Sequence, residues 1–391
     1  MKFPFAYVSE CDIICRLKGG GSVNPLIKWP GGKSREIAII KDCIPAYQRY
    51  VEPFFGGGAL YFDLAPKCAA INDISEDLMH FYKLVKNQDQ DLRQLLECYN
   101  DSFQQLIAIC RKESLEMMHL FFRVKDGSLA DDALANTLWD FVCKLTGRLS
   151  LDFWQLLVLD GAEFNRQVHK MVLDKFQRTV TNYNKKPFST EDLCENFVTG
   201  FVSGFYMYFR KVFNDLTLAR MDAPSGAYRA ANFYFIREYC YGSMFRYNVA
   251  GEFNIPYGGM SYNKKDMGSK IKNMYQPAMA QLLSGTTMHC QDFEDFFAEL
   301  NLTENDFLFL DPPYDTDFSD YEGKDFTKYD QERLASALKK TKAKFLLIIK
   351  NTEFIFNLYK DFHILSFDKQ YTYNVRSRND REAEHLIIMN Y

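Results

Sequence analysis

The stretch that decides the fold is Phe307-Leu308-Phe309-Leu310-Asp311-Pro312-Pro313-Tyr314, in which an apolar run leads into a proline turn. Short apolar runs bounded by turn signals predict buried strands, and open α/β sheets bind ligands at the carboxyl ends of their strands. At that end Asp311 supplies a carboxylate and Pro312 a carbonyl on a constrained backbone. Two acceptors and the Tyr314 ring suit chemistry on a planar amino group, although Asp-Pro-Pro is also ordinary loop punctuation.

A glycine turn lies upstream, where the segment from Arg49 to Phe55 runs into Gly56-Gly57-Gly58 and then into an amphipathic stretch. This order predicts strand, turn and helix, and the glycines permit a close approach of the backbone to a ligand. Asp73 follows the next apolar segment, about 15 to 20 residues after the turn, near the spacing of ribose-binding acids. Asp73 is therefore a predicted ribose ligand, with capping of the following helix as the alternative.

The segment Lys28-Trp29-Pro30-Gly31-Gly32-Lys33-Ser34 ends in the letters of a phosphate loop. Ile27 stands where such a loop requires a glycine, so this is not a Walker A sequence. Hydrolysis of a nucleoside triphosphate loses its best support.

Together these motifs resemble those of the Dam-type DNA adenine N6-methyltransferases, which use S-adenosylmethionine. The matching segments, in the order of that family, are Trp29 to Lys33, Glu52 to Gly58, Asn72 to Ser75, Arg246 to Gly258 and Asp311 to Tyr314. The resemblance implies an α/β fold, with a Rossmann-like methyltransferase sheet and an inserted, mostly helical DNA-recognition domain. It also implies methyl transfer to adenine N6 in duplex DNA, which requires flipping the base out of the stack.

The resemblance implies roles for individual residues. Asp311, Pro312 and Tyr314 would be catalytic, and Asp311 would serve the cofactor and the target amino group together. The predicted S-adenosylmethionine contacts are Trp29, Gly31, Lys33, Phe55, Gly56, Gly58, Asp73, Ile74, Asp292, Phe293 and Asp311. The predicted DNA contacts are Arg246, Asn248, Tyr262, Lys264 and Lys265. No metal is expected, because neither the six histidines nor the ten cysteines show metal-site spacing.

The pattern along the chain predicts a catalytic domain of residues 25–80 and 276–391, split by a target-recognition domain of residues 81–275. Apolar residues in most of this insertion recur at helical spacing, and a segment rich in aromatics, Asn and Gly predicts a DNA-contacting hairpin near 246–265. Residues 1–24 form a peripheral extension. The predicted apolar strands near the end of the chain are Asp306 to Leu310, Lys344 to Ile349 and Glu384 to Met389.

The composition of the chain argues against membrane and secreted proteins. The 391 residues lack any apolar stretch approaching ~18 residues and any leader-like start, so we expect no membrane span and no secretion. Scattered cysteines fit a reducing cytoplasm, in a bacterial, archaeal or phage-infected cell. The resemblance, and not composition, implies a cognate restriction endonuclease as a candidate partner.

The formal net charge of −4 does not favour binding to nucleic acid. A local basic patch offsets this, although a solvated helix face is the alternative for its residues. The patch consists of Arg210, Lys211, Arg220, Arg229, Arg237 and Arg246. The alternatives for function are methylation of RNA adenine or of a protein amide, and a catalytically silent nucleic-acid-binding module.

Overall fold

The computed structural model describes residues 24–30, 36–313, 326–370 and 382–391. The chain divides into two compact units: unit 1 comprises Met1–Met79 and Pro277–Tyr391, and unit 2 comprises His80–Gln276. The predictions for Gly31, Lys33 and Tyr314, and for residues 1–23, lie outside the described residues.

Unit 1 alternates strands and helices. Its strands are β1 (Arg49–Glu52), β2 (Ala69–Asn72), β3 (Thr286–His289), β4 (Asp306–Leu310), β5 (Lys344–Lys350), β6 (His363–Gln370) and β7 (Glu382–Met389). Its helices are α1 (Ile37–Asp42), α2 (Ala59–Leu64), the start of α3 (Glu76–Lys86), α11 (Pro277–Ser284), α12 (Phe293–Leu300), α13 (Lys328–Lys340) and α14 (Glu353–Tyr359).

The described strands form one seven-stranded sheet in the order β3-β2-β1-β4-β5-β7-β6. Strands β1 to β5 run parallel, and β7 is antiparallel to both β5 and β6. The strand order reverses between the neighbours β1 and β4, where Tyr50 pairs with Phe307 and Val51 with Leu308. Such a reversal opens a ligand crevice at the carboxyl ends of the two strands. The α/β, Rossmann-like sheet predicted from the sequence is confirmed.

The central strands are apolar because residues on both faces of the sheet are covered. All five residues of β4 are buried, as is usual for parallel strands with helices on both faces. Leu308 and Leu310 share one core with Leu334 and Leu338 of α13. At the opposite end of β1 and β4, Arg49 forms a two-pronged ion pair with Asp306, with N–O distances of 2.7 and 2.9 Å. Packing and this ion pair fix the register of the two strands that carry the glycine turn and Asp311.

Unit 2 is helical. Its helices are the end of α3, α4 (Gln90–Lys112), α5 (Ser114–Lys125), α6 (Asp131–Thr146), a π-helical turn (Phe153–Leu157), α7 (Gly161–Lys185), α8 (Thr190–Thr217), α9 (Gly226–Tyr239), two 3₁₀ turns (Tyr241–Ser243 and Met260–Lys264) and α10 (Gly268–Met274). Helices α7 and α8 pack closely, since a Cβ placed on Gly204 would collide with the backbone of Val168. Among the described helices of the chain, none is both long and apolar enough to span a bilayer.

Candidate functional site

The carboxyl edge of the sheet in unit 1 brings together three predicted segments: the glycine turn after β1, Asp73 after β2 and Asp311 after β4. The Asp73 carboxylate accepts the Gly56 N–H at 2.8 Å and the Ser75 N–H at 3.0 Å. Burial raises the pKa of Asp73, and these N–H groups oppose that shift by stabilising the charged form. The cap of α3 is Ser75, whose hydroxyl accepts the Leu78 N–H at 3.4 Å. Asp73 therefore braces the glycine turn and does not cap the helix.

The glycine turn depends on its glycines for steric reasons. Gly56 and Gly58 have φ values of +50° and +61°, in the left-handed region that other residues rarely adopt. A Cβ on Gly56 would lie 2.6 Å from a ring carbon of Trp29, and one on Gly58 would collide with the Phe55 ring. The structure thus packs the Trp29 ring against the turn. The Phe55 side chain is buried in the core, so only its backbone remains for a ligand.

Asn72, at the end of β2, ties together two loops of this edge. Its amide donates to the carbonyls of Pro53 at 3.1 Å and Gln291 at 3.0 Å, and it accepts the Gln291 N–H at 3.0 Å. In the sequence, Asn72 stands out only as part of the segment Asn72 to Ser75. The available signal was a polar residue closing an otherwise apolar strand.

Glu52 is a second residue that sequence reasoning left without a role. Its side chain is only 2% exposed and accepts the Tyr50 hydroxyl at 2.8 Å. Burial raises the pKa of Glu52 well above its usual value, and the charges of Asp311 and Asp73 raise it further. These three carboxyl groups therefore share one edge, which favours a ligand carrying positive charge. No three His, Cys, Asp or Glu side chains in the described parts of the chain are arranged to hold a metal ion.

Asp292 and Phe293 lie after β3 on the same edge. Asp292 caps α12 by accepting the Glu294 N–H at 2.9 Å, and it accepts a further hydrogen bond from Arg333 at 2.7 Å. The Phe293 ring is buried, 5.7 Å from the Phe54 ring between centroids. Ile74, in contrast, is exposed. These three residues thus lie at the same carboxyl edge as the glycine turn, with Asp292 held in one orientation.

In unit 2, the segment after Arg246 forms a short hairpin. Tyr247 and Phe253 form an antiparallel bridge, and the Asn248 N–H donates to the Glu252 carbonyl at 2.9 Å. The Asn248 side chain builds the turn, because its oxygen accepts the N–H groups of Ala250 at 3.0 Å and Glu252 at 2.9 Å. Val249 at the tip is fully exposed.

The predicted DNA contacts have different surroundings. Arg246 is exposed and donates to Asn254 at 2.9 Å, and Lys264 is exposed as well. The Lys265 ammonium lies 3.3 Å from the centre of the Tyr262 ring and donates to the Glu238 carbonyl at 2.6 Å. Lys265 and Tyr262 thus form an internal contact, whereas Arg246 and Lys264 face solvent.

Most of the predicted basic patch is engaged within the protein. Arg237 is buried and donates to the carbonyls of Ser243 at 2.7 Å and Met244 at 3.0 Å. The other engaged residues are Arg210, which donates to the Ile255 carbonyl, Lys211, paired with Asp215, and Arg220, paired with Glu252. Lys211 and Arg220 therefore fit the alternative of a solvated, ion-paired helix face, whereas Arg237 and Arg210 are held by backbone carbonyls inside the unit.

The sheet order, the glycine turn and the acids at its edge define a Rossmann-like methyltransferase. The family model for D12 class N6 adenine-specific DNA methyltransferases matches residues 29–121 and 149–373, and the chain belongs to this family. It is therefore an adenine-specific DNA methyltransferase that requires a methyl donor. This identification confirms the resemblance seen in the motifs and favours DNA over the RNA and protein-amide alternatives. The internal stretch that the family model does not match, residues 122–148, lies within unit 2.

Individual relatives of the chain are also named as methyltransferases. The chain is 26% identical over 389 residues to the Type II methyltransferase M.MjaIII of Methanocaldococcus jannaschii, covering 94% of this chain and 99% of that protein. It is 22% identical over 382 residues to the Type II methyltransferase M1.LlaDCHI of Lactococcus lactis subsp. cremoris, covering 95% and 96%. It is 36% identical over 166 residues to the Type II methyltransferase M.CviBI of Paramecium bursaria Chlorella virus NC1A, covering 41% and 61%.

Proposed function

We propose that the methyl donor is S-adenosylmethionine and that the acceptor is the N6 amino group of an adenine flipped out of duplex DNA. Bound S-adenosylmethionine supplies an electrophilic methyl group on a positively charged sulfur. The donor set fits such a group, because Glu52, Asp73 and Asp311 gather carboxyl groups at one edge. Carboxylates suit both its positive charges and its ribose hydroxyls.

The proposed holding residues follow from this edge. Asp73 would accept ribose hydroxyls, and its bonds to Gly56 and Ser75 would keep its carboxylate in place. The turn at Asp292 would face the adenine end, held by Arg333. The remaining proposed contacts are Trp29, Gly31, Lys33, Phe55, Gly56, Gly58, Ile74, Phe293 and Asp311.

The proposed catalytic role of the Asp-Pro-Pro-Tyr segment is to prepare the amino group. The lone pair of adenine N6 is delocalised into the ring, so the nitrogen is a poor nucleophile. The Asp311 carboxylate and the Pro312 carbonyl would each accept one amino hydrogen, which draws the nitrogen towards tetrahedral geometry. Tyr314 would stack on the base. The rate gain would come from positioning and preorganised dipoles.

One observation carries the proposal: β1 and β4 are neighbours, so the glycine turn and Asp311 emerge side by side at the same edge. The effect of the Asp311 charge on the pKa of Glu52 supports the same proximity. A donor held at the turn would therefore adjoin the acceptors for the target amino group.

Replacing Asp311 tests the catalytic role. In Asp311→Ala we expect methylation to fall by at least ~10²–10³-fold, because one preorganised acceptor is lost, while the thermal unfolding midpoint stays near that of the wild type. Transfer of a labelled methyl group to duplex DNA measures the rate. Asp42→Ala, which removes an exposed acid of α1 in the same unit, is the matched control. Wild-type activity in Asp311→Ala would refute the assignment.

The proposed DNA contacts of unit 2 are Arg246, Asn248, Tyr262, Lys264 and Lys265. We expect Arg246→Ala to weaken DNA binding by about 1–3 kcal/mol, the usual cost of losing a base-contacting arginine. Affinity for S-adenosylmethionine should not change. Fluorescence anisotropy with labelled duplex and calorimetry with the cofactor measure the two affinities. Arg93→Ala is the control, since Arg93 is an exposed arginine of the same unit paired with Glu97. Loss of cofactor binding with intact DNA binding would contradict the proposal.

The biological setting is also a proposal. The names of the relatives place them in Type II systems, so a cognate restriction endonuclease that cuts the same unmodified sequence is the proposed partner. The proposed location is the cytoplasm of a bacterial, archaeal or phage-infected cell, where the DNA substrate lies. Single-molecule sequencing of DNA from cells expressing the protein would identify the modified sequence.

A further inference from the structure

Helix α13 carries a buried glutamine directly behind the Asp-Pro-Pro segment. Gln331 is 0% exposed, and its Nε2 donates a hydrogen bond to the Pro313 carbonyl at 3.1 Å. The helix is a firm support for this contact. Thr327 and Asp330 cap its first turn reciprocally, and Leu334 and Leu338 anchor it in the core shared with β4.

Apart from this hydrogen bond, the polar amide of Gln331 is unfavourable at a buried position. Its Oε1 is buried and has no hydrogen-bond partner among the residues that the structure describes. An unsatisfied buried acceptor costs about 1–3 kcal/mol, so an apolar residue would be expected to serve stability better at this position. A buried amide oxygen without a partner is rare in folded proteins, and packing alone does not explain why Gln331 has one.

The composition of the segment supplies one. Pro312 and Pro313 have no N–H, so the backbone of each can be held only through its carbonyl. A side-chain donor that approaches from the helix is therefore an effective way to fix the peptide groups next to Asp311. Gln331 provides that donor to Pro313.

We propose that Gln331 is a positioning residue for methyl transfer. Its hydrogen bond to Pro313 would keep the Pro312 carbonyl and the Asp311 carboxylate aimed at the target amino group. This inference rests on the proposed function of those two acceptors. Displacement of a reacting group by about 1 Å can cost 10²-fold in rate, whereas binding of the cofactor is shared among many proposed contacts besides Asp311 and should change far less.

A second contact shows that α13 supports the other side of the site too. Arg333 donates to Asp292 at 2.7 Å, to Glu294 at 2.8 Å and to Asp330 at 2.9 Å. The helix thus reaches the turn after β3 as well as the segment after β4. Gln331 acts on the acceptor side and Arg333 on the proposed cofactor side.

The first test is Gln331→Met, which keeps the length and volume of the side chain and removes the donor. We expect the single-turnover methylation rate to fall by about 10²-fold, with the KM for DNA and the Kd for S-adenosylmethionine unchanged. The unfolding midpoint should stay the same or rise, because the unsatisfied amide oxygen is removed. A merely structural role predicts the opposite pairing of lower stability with an unchanged rate per folded molecule.

The second test is Gln331→Glu, which has nearly the same shape but donates a hydrogen bond only when its carboxyl group is protonated. Its rate relative to the wild type should therefore rise as the pH falls. The control is Gln88→Met in unit 2, where the Gln88 amide donates to the carbonyls of Val85 at 2.9 Å and Met274 at 3.0 Å. That variant should lose stability and keep its rate.

A Gln331→Met protein with a wild-type single-turnover rate, or with only a raised KM, overturns the inference. A Gln331→Glu protein whose rate relative to the wild type is independent of pH also overturns it. This second variant decides the question if Gln331→Met does not fold. Failure of the proposed function looks different. In that case Asp311→Ala itself remains active, whereas an inactive Asp311→Ala beside a fully active Gln331→Met rejects only the role of Gln331.

Discussion

At the scale of single residues, the buried acid Glu52 shows how the site is tuned. Burial and the neighbouring charges of Asp311 and Asp73 raise its pKa, while the Tyr50 hydroxyl opposes the shift. Folding therefore shifts the pKa of Glu52 upwards, towards its protonated form. A cation bound at this edge would favour the ionised form.

This burial makes stability depend on pH. The pKa of Glu52 is well above 4.5 in the folded protein and near 4.5 when unfolded, so folding takes up a proton between these values. The stabilisation from Glu52 is complete below pH 4.5 and is lost as the pH rises through the folded pKa. Glu52→Gln does not titrate and can still accept the Tyr50 hydroxyl. Its free energy of unfolding, relative to the wild type, should increase with pH above 4.5.

Urea denaturation of both proteins at a series of pH values measures this difference. Parallel curves for Glu52→Gln and the wild type would show that Glu52 titrates normally. Asp42→Ala, which removes an exposed acid of the same unit, is again the control variant.

Sequence patterns located some site residues and passed over others for a physical reason. Asp73 and the glycines were predictable, because their spacing along the chain reflects a local strand, turn and helix. The structural role of Asn72 depends on a partner that the fold brings from afar, and those of Glu52 and Gln331 depend on burial that no short pattern reports. Gln291 lies 219 residues from Asn72, and no local pattern encodes that contact.

At the scale of elements, the hairpin after Arg246 depends on one side chain. Asn248 accepts two backbone N–H groups of the turn and donates to the Glu252 carboxylate at 3.0 Å. The turn is exposed, so these bonds contribute more to its shape than to the stability of unit 2.

We therefore expect Asn248→Ala to leave the unfolding midpoint nearly unchanged and to weaken DNA binding. If the looser turn costs about 1.4 kcal/mol to order on DNA, affinity falls tenfold. Anisotropy titrations at one fixed salt concentration measure this. Asn182→Ala, at an exposed position of α7, is the control. Equal affinities of Asn248→Ala and the wild type would show that a preformed turn is unimportant.

Sequence patterns identified central elements better than edge elements. The predicted strands that became β4, β5 and β7 are confirmed, with ends within two residues of those predicted. Strands β3 and β6 were not predicted, and they are the two edge strands of the sheet. An edge strand pairs on one side only and needs no continuous apolar run, so Thr286–His289 carries little signal.

At the scale of the whole molecule, the net charge did not indicate that the protein acts on DNA. The chain has a formal charge of −4 and yet belongs to a family of DNA-modifying enzymes. Several arginines that suggested a basic surface instead bind carbonyls and carboxylates of unit 2. The sequence gives the number of Arg and Lys side chains, but it does not show which of them are bound to other groups within the folded protein.

The interrupted layout of unit 1 has a consequence for how the protein is made. Strand β1 must wait for β4, since Arg49 pairs with Asp306, 257 residues further along the chain. During synthesis the helical unit 2 leaves the ribosome complete, whereas the first half of the sheet remains without its central neighbour. Contacts between residues so far apart in the sequence form slowly. Unpaired strands are prone to aggregate between the synthesis of β1 and that of β4. Chaperones that cover the unpaired strands during this interval should therefore raise the yield of active enzyme.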